Sequence, residues 1–225
     1  MDPDDYADIT YYEELYKAAI NSGADITQTP SVKKDFGKGK IELANRWFSN
    51  MPEGIYDVNV NTFNNLTQGN WFVMWNRMFT KECLQQISYY QIGKKINFLE
   101  DLLIYLCALM SSKKLCNVKT NGYYYYYLAD DVEHLSKQKD RTDPVVNLFV
   151  IMDAYIMETK NSRYYDCIYN IRKGYIKMFA KEYTKMFNCV ENFEVFNSIP
   201  SSYRQKERDY IKNIYISLLK ADSYG

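Results

Sequence analysis

The chain has 225 residues, 28 Lys+Arg balanced by 28 Asp+Glu, one histidine, and a composition that is 47 % hydrophobic and 25 % charged. These values exclude a disordered polyelectrolyte and fit one large folded domain or two small lobes sharing a core. Five cysteines, an odd count without C-x-x-C spacing, argue against a disulfide framework and for a reducing compartment.

The charge is unevenly placed. Residues 1–25 hold seven acids and one lysine, whereas 160–185 hold seven Lys/Arg and two acids. The N-terminus is acidic rather than basic then apolar, so no signal peptide is expected. The longest apolar run, Leu102 to Met110, is nine residues and too short to span a bilayer. Tyrosine is abundant, at 23 residues, a bias that an A/T-rich coding sequence would produce without any function.

In chain order, residues 1–10 are acidic and lack apolar periodicity, and read as an arm that orders against something else. Tyr11 to Asn21 fits a short helix closed by Asn-Ser-Gly. Ala24 to Ser31 reads as a loop. Around Gly37 and Gly39 the pattern turns to period two, Ile41, Leu43 and Asn45 alternating with Glu42, Ala44 and Arg46, which predicts a strand or hairpin. Ser49 to Tyr56 is a predicted turn, and Thr62 a candidate helix cap. Trp71 to Gln91 has helical spacing, Ile96 to Met110 is the most apolar helix, and Lys113 to Gly122 reads as a connector. The run Tyr123–Tyr127 is compatible with strand or helix. Val145 to Met157 is a second buried helix, and Tyr203 to Leu219 a last amphipathic one.

Between these two lies the segment with the strongest pattern. Asn161 to Asn188 reads as one long helix with Ile168, Ile171, Tyr175, Met178, Phe179 and Met186 along one side. A second ridge runs Tyr165, Tyr169, Lys173, Lys177, Lys181, Lys185 at steps of four. Cations in line with aromatic rings suit a single-stranded nucleic acid, phosphates on the lysines and bases on the rings. A solvated lysine face on an ordinary surface helix has the same pattern.

Catalytic chemistry is thin. His134 is the single histidine and has no triad around it. No phosphate-binding loop is present, and Gly37 and Gly39 are only G-x-G. Asp130, Asp131 and Glu133 read as a solvated charge run. No catalytic residue, metal or cofactor is expected, and nothing in the pattern argues for an enzyme.

The stretch FGKGKIELANRWF followed by TFNNL resembles the nucleoproteins of segmented negative-strand bunyaviruses, the orthobunyavirus type in particular. Phe36, Gly37, Ile41, Leu43, Asn45, Phe48, Thr62 and Leu66 carry the likeness, and RYYDCIYNIRKGY is a looser echo through Arg172, Lys173 and Tyr175. The chain departs from that family at SNMPEG and at Asn64–Asn65, where the family has a Pro-Gly-Asn turn and His-Arg. The resemblance implies a mainly α, two-lobed helical core with one small β-hairpin and terminal arms, in host cytoplasm and virion. It implies a ribonucleoprotein in which arms dock on neighbouring copies, and names the viral polymerase as a further partner. On this reading the domains are an arm, 1–10, a lobe, 11–122, a second lobe, 123–202, and a C-terminal helix, 203–225. RNA contacts are expected at Lys33, Lys34, Lys38, Lys40, Arg46, Trp47 and Arg77, the last on a helix, and at Arg163, Tyr165, Arg172, Lys173, Tyr175, Lys177 and Lys181. Tyr6 and Ile9 are the expected anchors for a homo-oligomer. The competing expectation is a helical protein–protein interaction module of an A/T-rich virus or parasite that binds no RNA.

Overall fold

The computed structural model describes residues 4–30, 32–44, 51–67, 73–88, 100–120, 122–126, 159–168 and 170–171. The chain divides into two compact units, residues 1–93 with 100–138, and 94–99 with 139–225.

The first unit holds two four-stranded sheets. Its elements in order are β1 (Tyr6–Ala7), α1 (Tyr11–Ser22), β2 (Ile26–Gln28), β3 (Val32–Asp35), β4 (Ile41–Ala44), β5 (Gly54–Asp57), α2 (Val60–Thr67), β6 (Arg77–Phe79), α3 (Lys81–Ser88), α4 (Glu100–Ser111), β7 (Lys114–Asn117) and β8 (Tyr123–Tyr126). One sheet has the order β1-β8-β3-β4, with β8 and β3 parallel; the other has β5-β7-β2-β6, with β7 and β2 parallel. All other pairings are antiparallel.

Local chemistry accounts for several boundaries. Helix α1 carries Glu13 and Glu14 in its first turn, where carboxylates favour the positive end of the helix dipole. It stops at Gly23, whose φ of 61° is the left-handed cap and whose N–H donates to the Ala19 carbonyl at 2.9 Å. The β3–β4 hairpin closes through Gly37, Lys38 and Gly39, all at positive φ. The Phe36 N–H donates to the Lys40 carbonyl at 3.0 Å, and the Asp35 carboxylate accepts the Gly37 N–H at 2.8 Å. Helix α2 is capped by Asn59, whose side-chain oxygen accepts the N–H groups of Asn61 and Thr62. Thr62 is therefore inside the helix, and its hydroxyl donates to the Asp57 carbonyl.

The expected mainly α, two-lobed core with a single small hairpin is corrected: the first unit is an α/β structure with two mixed sheets. The reason lies in strand length. Strands β2 and β6 are three residues each and β7 is four, too short to display alternation. All three residues of β2 are buried, and two of them, Thr27 and Gln28, are polar, so this buried strand reads as a loop. Its ladder comes from β7 and β6, remote in sequence. The segments read as a loop at 24–31, a helix at 71–91, a turn at 49–56 and a connector at 113–122 thus each contain a strand. The tyrosine run, open to either reading, is strand β8. The apolar helix and the hairpin stand as expected.

Tyr11, Leu15, Val32 and Tyr123 form one buried cluster, with Trp75 and Met78 packed against it. Trp75 stacks on Tyr123 at 4.3 Å between ring centres. Helix α4 buries Leu102, Leu103, Tyr105 and every residue from Leu106 to Met110. Among the described residues no helix is long and apolar enough to cross a membrane.

In the second unit the described residues make a 3-10 turn, Ser162–Tyr164, followed by helical residues at 165–168 and 170–171. Tyr164, Cys167 and Ile168 are buried there. The long helix expected from Asn161 onward lies outside the described residues after position 171.

Candidate functional site

Ligands of α/β sheets gather beyond the carboxyl ends of parallel strands. In this chain that place is where β2 and β7 end side by side, Gln28 opposite Asn117. Strand β6 lies on the other flank of β2 and brings Arg77 opposite Gln28. Helix α4 brings Tyr105, with Asp101 one turn before it.

These side chains form a connected polar layer in the interior. The Gln28 amide donates to Asn117 Oδ1 at 2.8 Å. Its carbonyl oxygen accepts from Arg77 Nε at 3.0 Å and from the Tyr105 hydroxyl at 2.9 Å. Arg77 Nη1 donates to Asn76 Oδ1 at 2.8 Å, and the Asn76 amide donates to the Thr29 carbonyl. Asn117 Nδ2 reaches back to the carbonyls of Met51 and Pro52. Gln28 and Asn76 are 0 % exposed and Arg77 is 5 % exposed, so these bonds hold without competition from water.

Arg77 is the charged member. Its guanidinium sits 3.8 Å over the Tyr105 ring, a cation–π contact in a dry setting. Burial pulls the Arg77 pKa below its ordinary value, and Tyr105 and Asp101 oppose that pull. A guanidinium stays protonated even so. Burial pushes the Tyr105 hydroxyl pKa up, against the lowering effect of Arg77. Among the described residues the ion pairs are Lys17–Glu13, Lys33–Asp8 and Lys40–Glu42, and none of them involves Arg77. The second terminal nitrogen of the guanidinium, Nη2, is buried without a hydrogen-bond partner.

The sequence-predicted contacts are spread over different settings. Arg77, expected as an exposed RNA contact on a helix, is a buried strand residue in this polar layer. Lys33 donates to the Tyr124 hydroxyl at 2.6 Å and lies 4.0 Å from an Asp8 carboxylate oxygen. Lys34 pairs across the hairpin with Glu42, whose charge supports its protonated form while burial lowers its pKa. Lys40 is 3.1 Å from Glu42 and 4.9 Å from the Phe36 ring centre. Lys38 is in the hairpin turn at φ 53°. Three of the four hairpin lysines thus stand beside a carboxylate, which offsets the field a polyanion would need. Arg163 is exposed and lies over the Tyr164 ring, and Tyr165 is half-buried in the following turn. Arg46, Trp47, Arg172, Lys173, Tyr175, Lys177 and Lys181 lie outside the described residues.

Tyr6 pairs in register with Tyr124 of its own chain, and the two rings stack at 4.5 Å. Asp5 is buried and accepts the Tyr123 hydroxyl at 2.6 Å and the Tyr126 N–H at 2.9 Å. Ile9 is fully exposed. Residues 5–8 therefore order on their own sheet. Among the described residues, no three His, Cys, Asp or Glu side chains converge as a metal site.

No protein-family model and no curated protein sequence matches the chain. Among solved structures it is similar to TarS of S. aureus, residues 1–349, in complex with UDP-GlcNAc. The TM-score is 0.57 at 12 % identity, over 97 % of this chain. The match spans 66 % of the TarS chain. The likeness is one of fold.

Proposed function

We propose that this chain serves glycosyl transfer from a nucleotide sugar. The observation that carries the reading is the shared fold with a protein that holds UDP-GlcNAc, over nearly the whole of this chain. The reading replaces the expectation of a non-enzymatic chain. In such a transfer an acceptor hydroxyl bonds to the anomeric carbon, the bond from that carbon to the diphosphate oxygen breaks, and the acceptor proton leaves. The candidate site has a residue for the last of these needs. Asp101, half-buried at the start of α4, is a carboxylate that can take the acceptor proton.

The test is titration calorimetry of the 225-residue chain with UDP-GlcNAc and with UDP, with and without Mg²⁺, alongside release of UDP over time. The expected result is saturable binding of both, strengthened by Mg²⁺. Slow UDP release should be lost in Asp101→Asn while binding is retained. Absence of binding at millimolar ligand overturns the reading. RNA encapsidation with arm-mediated assembly is the competing proposal and rests on the sequence pattern. Tight binding of a poly(U) strand, with affinity falling steeply as salt rises and no response to UDP-GlcNAc, would favour it instead.

A further inference from the structure

The β3–β4 hairpin leaves a strand edge of the first unit open. Strand β4 ends the sheet β1-β8-β3-β4 and, among the described residues, pairs only with β3. Along an antiparallel ladder, hydrogen-bonded pairs alternate with pairs whose backbone groups point away from each other. The Phe36 N–H donates to the Lys40 carbonyl at 3.0 Å, so Phe36–Lys40 is a hydrogen-bonded pair and Lys34–Glu42 is the next. Ile41 and Leu43 lie between, opposite Asp35 and Lys33, and their N–H and C=O groups therefore point outward along the edge. The two residues are 47 % and 49 % exposed, so aliphatic side chains accompany the unpaired backbone. An edge of this kind is a template for another strand, and natural sheets cover or blunt it.

The side chains of the edge select its partner. Lys40 and Glu42 fall on one face of the strand, Ile41 and Leu43 on the other. Two antiparallel copies can match their outward backbone groups as Ile41–Leu43, Leu43–Leu43 or Ile41–Ile41. The first puts Glu42 directly opposite Glu42, which is unfavourable. The second puts Glu42 opposite Ala44 and leaves its charge unmatched. The third puts Lys40 of each copy opposite Glu42 of the other. It also brings Leu43 beside Gly39, which has no side chain and where an added Cβ would meet nothing within 4 Å. The strand is thus complementary to itself in charge and in room, as a two-fold interface requires. We propose that β4 pairs with β4 of a second copy of this chain about an axis through Ile41, joining two four-stranded sheets edge to edge. The joint is the hairpin edge rather than the arm expected from the sequence, and the proposal does not depend on the nucleotide-sugar reading.

The test is sedimentation equilibrium of the full chain over a wide concentration range, with urea unfolding as the control for the fold. The wild type should pass from one chain to two as concentration rises. A single strand pair buries little surface, so the association belongs to the weak, concentration-dependent class. Ile41→Pro removes the outward N–H and spares the bonds to β3, since proline is tolerated where an edge N–H faces out. It should raise the dimer dissociation constant about tenfold or more, a loss of two hydrogen bonds related by symmetry. Lys40→Glu and Glu42→Lys alter exposed side chains and leave the backbone alone. Each sets like charges opposite one another and should weaken association about five- to tenfold. Carried together in one chain they set opposite charges face to face again, and association should return to the wild-type level. Of the registers, only the one centred on Ile41 gives that pattern. A wild type that stays a single chain up to its solubility limit overturns the proposal and leaves the edge to a foreign strand or to solvent. So does Ile41→Pro associating as the wild type does, or a double variant as weak as the single ones.

Discussion

Arg77 and Lys33 make the same kind of contact in opposite surroundings. Each is a cation on a strand, bonded to polar side chains and placed over a tyrosine ring, Arg77 at 3.8 Å from the Tyr105 centre and Lys33 at 4.4 Å from that of Tyr124. Arg77 is in the dry layer between β2, β6 and α4. Lys33 is on the outer face of the other sheet, its side chain 29 % exposed and an exposed carboxylate, Asp8, beside it. The comparison teaches that contact geometry alone does not rank the two. Desolvation does: inside, the cation is bonded to Gln28 and Asn76 where water cannot reach; outside, water and Asp8 can replace whatever is lost.

The comparison breaks most sharply if the two cations are removed. Arg77→Ala leaves Asn76 Oδ1 without its donor, takes one of two donors from Gln28, and opens a gap beside Tyr105. A loss of at least about 3 kcal/mol in urea unfolding is expected, combining a large core truncation with unsatisfied buried acceptors. Lys33→Ala should change stability by no more than about 0.5 kcal/mol, as exposed pairs do. Equal losses would show that the dry layer is not what makes Arg77 matter.

The same contrast explains what was legible in the sequence. The hairpin is visible because Gly37 and Gly39 mark its turn and Ile41 and Leu43 alternate beside it. Helix α4 is visible because Leu102 to Met110 is unbroken apolar sequence. The polar layer is not visible, because Gln28, Asn76 and Asn117 are ordinary surface residue types whose burial depends on remote strand partners. The one available signal was Tyr105 inside the apolar run, a hydroxyl that would need a buried partner. The charge of Arg77 is legible but its surroundings are not, since Trp71 to Gln91 spaces its apolar residues like a helix while β6 and α3 divide it. The lysine hairpin was legible as chemistry, but its carboxylate neighbours Asp8 and Glu42 come from register and folding.

A second, smaller break concerns how the outer sheet is tied to the core. Gly122 accepts the Asp8 N–H through its carbonyl at 2.7 Å, and a Cβ there would lie 2.9 Å from Tyr11 Cβ and Cδ2. Tyr11 is rigid and buried, so it has little room to yield. Gly122→Ala should cost about 1–3 kcal/mol, as overpacking does. The hydrogen-exchange protection of Tyr6 to Asp8 should fall more than that of β2 and β7. Uniform loss across both sheets would mean that Gly122 serves the core as a whole.

The smallest expected effect sharpens the outer half of the comparison through pH. The Tyr6 hydroxyl donates to Asp35 Oδ2 at 2.6 Å, and this bond to a carboxylate is the main reason that its pKa is pushed up to about 12 from 10.0. An acid whose folded pKa is raised holds its proton more tightly in the folded state. Its stabilising contribution is therefore complete below the ordinary tyrosine range and is lost as pH rises from about 10 towards about 12. The chain has 23 tyrosines, so the measurement is the tyrosinate absorbance difference between wild type and Tyr6→Phe across that range. The difference should titrate late in wild type. In Asp35→Asn, where the acceptor is neutral, it should move back towards 10. Because the pair is solvent-accessible, the stability change should be small and should shrink with added salt. A difference that titrates at the ordinary value in wild type would mean that water already competes for the Asp35 carboxylate, and that the outer face is softer than its stacked rings suggest.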